Sequence, residues 1–178
     1  VTKDARSTGA ALEQVLFSRK GAILEEWRRA VVATYAAETH AFLTSEKDPF
    51  CNPVGNVLRQ TGDALFEIAV TGMERERAEE GLSDIVRLRA VQDFSPSRAL
   101  SFVDAMRKAI RHELLPMVEK TGFNHLLCVE SRLDEAMLVA VDLYVACKKQ
   151  IEEIRIKEAR AEKERLLRLI RAMGGRSA

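Results

Sequence analysis

From His125 to Met173 the chain carries neither proline nor glycine. A helix over that stretch would be on the order of 70 Å long at 1.5 Å per residue, about twice the width of a small domain. Its two halves differ. Leu126, Leu127, Val129, Leu133, Ala136, Met137, Ala140, Val141 and Tyr144 make the first half apolar nearly all round, which predicts a core helix. From Lys148 to Arg165 lysine, arginine and glutamate dominate, with Ile151 and Ile154 on one line. Such a half is too polar to bury, so it is expected to project from its own domain.

The rest of the chain must supply the partners of that core half. Ile85 to Arg111, IVRLRAVQDFSPSRALSFVDAMRKAIR, reads as one helix ending, a corner, and a second helix starting. Ser95 stands at an N-cap position, Pro96 at the first helical position, and Phe94 is placed to staple onto Ala99. Ala99, Phe102, Val103, Met106, Ala109, Ile110 and Leu114 then recur at three and four residues, which marks a buried face. Asn52 and Pro53 repeat the cap logic ahead of Val54, Val57, Leu58, Leu65 and Ile68; Gly55 and Gly62 inside that helix predict the close passage of another. Towards the start, residues 1–7 read as a disordered lead and Thr8–Lys20 as a short helix broken by Gly21. A second helix carries Ile23, Leu24, Trp27 and Tyr35, with Trp27 as a core anchor. A short helix follows over Ala36–Thr44. TGMERERAEEG reads as a charged connector, and Pro116 with KTGFN as a turn. No strand-like alternation occurs. The expected fold is all-α, with a domain over residues 8–150 and a projecting connector over 151–178.

Composition limits the function. Lys and Arg number 28 against 27 Asp and Glu, and this balance lacks the basic excess that nucleic-acid binding requires. No run reaches the ~18 apolar residues of a membrane span, and VTKDARSTGA lacks a signal-peptide core, so a cytoplasmic location is expected. Cys51, Cys128 and Cys147 form no CxxC pair and read as reduced thiols. His40, His112 and His125 have no second ligand at zinc-site spacing, so no metal site is expected. Adjacent carboxylates such as Glu25–Glu26 and Glu152–Glu153 point about 100° apart on a helix and share no acid/base site. There is no GxSxG, phosphate loop or triad pattern, hence no enzyme.

Two regions offer partner contacts. One is the polar corner: Arg87, Arg89, Gln92 and Asp93 either satisfy the helix end among themselves or face a protein or anionic ligand. The other is the tail. There Leu166, Leu167, Leu169, Ile170 and Met173 alternate with Arg165, Arg168 and Arg171, a basic amphipathic pattern that fits a protein groove or, as the alternative, a lipid interface. A coiled-coil seam through Ile156, Ala159, Leu166, Ile170 and Met173, interrupted at Lys163, suits a second copy of the chain. Three function classes stay open: a signalling or sensory module, an accessory subunit of a larger assembly, free or at a membrane surface, and a carrier with an apolar pocket.

NPVG at Asn52–Gly55, Trp27 within ILEEW, and above all IVRLRAVQDFSPSRAL resemble the RsbRD N-terminal domain family, the RsbT co-antagonists, over residues 10–155. That resemblance implies a stressosome-type sensory domain joined by a helix to a STAS domain, and a globin-like bundle without haem. The 178 residues carry no STAS-like stretch, so the resemblance covers the sensor or scaffold domain and its connector. In globin order the helix ending at Phe94 would hold the proximal haem ligand. It has no histidine, nor does the helix from Pro53, so no cofactor is expected.

Overall fold

A computed structural model describes residues 2–45, 52–115 and 123–174, all but a few linker positions in helices. There are six: α1 (Thr2–Val32), α2 (Ala37–Ser45), α3 (Pro53–Thr71), α4 (Arg75–Val91), α5 (Pro96–Leu114) and α6 (Phe123–Gly174). α3, α4 and α5 pack on one another in the middle. α1 lies against α3 and α5, α6 against α3, α4 and α5, and α2 rests on α3.

The buried set follows the helical periods. Leu16, Ile23, Trp27 and Val31 of α1 meet Leu58, Leu65 and Phe66 of α3 and Phe102, Met106 and Ile110 of α5. Trp27 anchors the crossing: its ring is buried and its indole N–H donates to the Phe102 carbonyl at 2.8 Å. A Cβ on Gly62 would stand 2.7 Å from that ring, so the glycine is what lets α1 and α3 approach. Gly55 has a different reason, since a Cβ there would strike the Asn52 side chain that caps its own helix.

Several expectations change. α1 runs unbroken through Gly21, whose position is exposed and open, and it begins at Thr2 within the stretch expected as a lead. The charged connector is mostly the first turns of α4, with only Gly72, Met73 and Glu74 outside helix. Ser95 occupies the N-cap position but its hydroxyl caps nothing, lying 3.4 Å from the Ser97 hydroxyl instead. Phe94 packs against Tyr35, ring centres 5.4 Å apart. Cys51 and the Pro116 turn lie outside the described residues; Cys128 and Cys147 are free thiols.

α6 spans 52 residues as one helix. Tyr144 is its last buried residue and Ile151 the last half-buried one; every position from Glu152 to Arg171 is exposed. The first half is not core all round. Leu127, Leu138, Val141 and Val145 point outward, because the bundle covers only one side of the helix.

Candidate functional site

The polar corner is a helix stop built without glycine. Asp93 takes φ 59°, the left-handed conformation that aspartate tolerates better than most residues. The Phe94 amide then donates back to the Arg89 carbonyl at 3.1 Å and the Asp93 amide to the Ala90 carbonyl at 3.2 Å. These are the two bonds of a Schellman closure.

The four corner residues do not share a surface. Arg87 and Gln92 are exposed, whereas Arg89 is wholly buried, so Arg89 cannot face a partner as the sequence allowed. Its guanidinium donates to the carbonyls of Arg98 (3.0 Å) and Ala99 (3.2 Å) and to the Thr34 hydroxyl (3.0 Å). The rings of Tyr35, Phe94 and Phe102 surround it at 5.3 to 5.8 Å. No carboxylate pairs with it among the described residues, and burial lowers its pKa from the usual arginine value. Arg89 therefore joins the turn after α1 to α4 and α5 internally. Arg98, stacked on Phe94 at 4.3 Å, adds a bond to the Thr34 carbonyl from outside.

Asp93 pairs not with Arg87 or Arg89 but with Lys148, at 2.6 Å, and the ammonium holds its carboxyl below the ordinary range. One turn earlier on α6 the Tyr144 hydroxyl donates to the Phe94 carbonyl at 2.7 Å. The corner thus grips α6 where the helix leaves the bundle.

Along the exposed side of α6, past that grip, runs a heptad register that is mostly apolar. Leu138 and Val145 are seven residues apart, and the same register reaches Glu152, Ala159, Leu166 and Met173. Leu138 is 63% exposed, Val145 60% and Leu166 53%. Leu167 and Ile170 are also exposed; the Met173 side chain lies outside the described residues. Sequence reading found the tail members. It missed Leu138 and Val145, although heptad spacing back from Leu166 would have found them.

Across α1 and α5, donor atoms of Glu26, His112 and Glu113 lie within 4.8 Å of one another. Each is already engaged: His112 Nδ1 is 2.7 Å from Glu26, and Glu113 is 3.6 Å from Arg19. His125 stands 3.8 Å from Glu13, and His40 lies 3.0 Å from the Tyr35 carbonyl. Among the described residues no helix is long and apolar enough to cross a membrane.

A six-helix bundle that ends in a long exposed helix defines an all-α module built to present helix faces. The model of the family described as RsbT co-antagonist protein rsbRD N-terminal domain matches residues 21–174, and the chain belongs to that family. The family consists of non-catalytic protein-interaction domains, and this chain is a non-enzymatic signalling or scaffold module that works through its helices. Comparison with curated proteins and with solved structures finds no match.

Proposed function

We propose that the domain acts as a cytoplasmic homodimer in which α6 of one copy packs along α6 of the other. The observation that carries this reading is the register shared by Leu138, Val145, Ala159, Leu166 and Met173 on one uninterrupted helix, broken by charge once, at Glu152. A solvated arm gains little from its own surface, and a second copy covers both the domain part and the arm part of the line at once. Arg87, Gln92 and Asp93, beside the root of the arm, together with Leu167 and Ile170 beyond it, then form the surface offered to further protein partners. RsbT, named in the family description, is one such partner class. A globin-like arrangement of the helices is supported by the family membership.

Light scattering of the intact chain tests the dimer: two copies are expected at micromolar concentration, and one copy after Leu138→Glu with Val145→Glu. Removing Arg155–Ala178 should leave the bundle folded while weakening association. A monomeric intact chain, or a truncated one that melts far lower with unchanged mass, overturns the reading. The arginines between Leu166 and Ile170 favour one alternative, attachment of the arm to an anionic lipid surface, which liposome flotation would reveal.

A further inference from the structure

Where α3 ends, α4 begins and α6 passes, the bundle leaves a cavity of about 540 Å³. That size falls within the ~300–1,000 Å³ of small-molecule sites. Ile68, Ala78, Ala136 and Val139 line it, and each is at most 4% exposed. Met73 and Leu138 form its lip. The lining is therefore apolar at depth, with charge only towards the mouth.

The charged groups at the mouth are not equivalent. Arg75 is neutralised, by Glu79 at 3.0 Å and Asp142 at 2.5 Å. Arg132 pairs with no carboxylate among the described residues. Its Nη1 donates to the carbonyls of Ala69 (3.2 Å) and Val70, in the last turn of α3. Gly72 turns there with φ 77°, and a Cβ on it would stand 3.3 Å from Arg132 Nε and 3.8 Å from Nη2. The guanidinium is thus fixed in place by neutral acceptors and packed against a bare backbone, with no carboxylate paired to it among the described residues and Nη2 still able to donate. A carboxylate is the group that pairs best with a guanidinium held in this way. Glu135, exposed at the same mouth, repels an anion more strongly as its charge rises and so weighs against doubly charged phosphate more than against a monocarboxylate.

We propose that this cavity binds a small amphipathic monocarboxylate, its head group on Arg132 and its apolar body against Ile68, Met73, Ala136 and Val139. The site lies on the α6 segment that also presents Leu138, yet the inference does not rest on the dimer. Light scattering of the same samples reads the oligomeric state separately.

The test is a titration of the intact chain, methyl-labelled for NMR, with decanoate below its micellar concentration, with decanol, and with inorganic phosphate. Saturable shifts of the Met73 and Val139 methyls with decanoate are expected. Decanol should bind at least tenfold more weakly, and phosphate should leave those methyls unmoved. Arg132→Met should erase the preference for decanoate over decanol. Should that variant fail to fold for want of its bonds to α3, Glu135→Gln decides: tighter decanoate binding with decanol unchanged supports the site, and unchanged decanoate binding overturns it. Equal binding of decanol and decanoate to the intact chain, or shifts confined to Leu166 and Leu167, overturns it as well.

Discussion

The Tyr144 hydroxyl donates to the Phe94 carbonyl at 2.7 Å, joining the corner between α4 and α5 to the last buried turn of α6. Phe94 follows the helix stop and Tyr144 precedes the arm, so this bond couples two places where regular packing ends. Tyr144→Phe should lower stability by about 1 kcal/mol, the usual net worth of such a bond, when measured by urea titration. An unchanged midpoint would mean that Asp93 and Lys148 alone hold the root.

Arg89 is the most demanding residue in the core. Arg89→Ala would leave a cavity among three aromatic rings and strip donors from the Arg98 and Ala99 carbonyls. A loss of roughly 3–5 kcal/mol is expected. Arg89→Lys should recover only part of it, because an ammonium cannot reach Thr34 and two carbonyls with a planar fork. Chemical denaturation of both variants checks the order.

The two cap-and-proline pairs should separate under mutation. Asn52 is buried, accepts from the Gly55 amide at 2.7 Å and donates to the Leu43 carbonyl at 3.3 Å. Asn52→Ala should cost about 1–2 kcal/mol, whereas Ser95→Ala should cost less than about 0.5 kcal/mol. Equal losses in thermal melts would show that the Ser95 hydroxyl turns to cap α5 in solution.

The His112–Glu26 contact gives a pH signature. The hydrogen bond and charge of Glu26 raise the pKa of His112 above its ordinary 6.5. A raised folded value means that the stabilisation is complete below the unfolded pKa and is lost as pH rises through the folded one. Melting temperatures of the chain and of His112→Gln should therefore differ more at pH 5.5 than at pH 8.5. The opposite trend would show that the imidazole is not protonated against Glu26.

Periodicity made the helices legible: the faces of α3 and α5, Trp27 as an anchor and the unbroken α6 could all be read from spacing. Boundaries were harder wherever a local signal was outweighed by packing. Gly21 looks like a break, yet the apolar residues on either side of it pack onto one surface and carry the helix through. Ser95 and Asn52 look alike, but only Asn52 is buried between α2 and α3 where a second partner fixes its rotamer. The corner stop was missed as a motif because aspartate fills the place where glycine is the usual marker. Arg89 and Arg87 have the same character as letters. The difference arises in three dimensions, where Thr34, 55 residues away, and three aromatic rings converge on one of them.

The unbroken helix makes the arm a lever with no joint. Between Phe123 and Met173 there is no proline or glycine at which to flex, and about 23 residues extend past Ile151, on the order of 35 Å. A tilt of about 10° at Tyr144 would carry the far end, about 45 Å away, through roughly 8 Å, more than the rise of one helical turn. Small displacements inside the bundle are thereby magnified at Leu166 and Leu167.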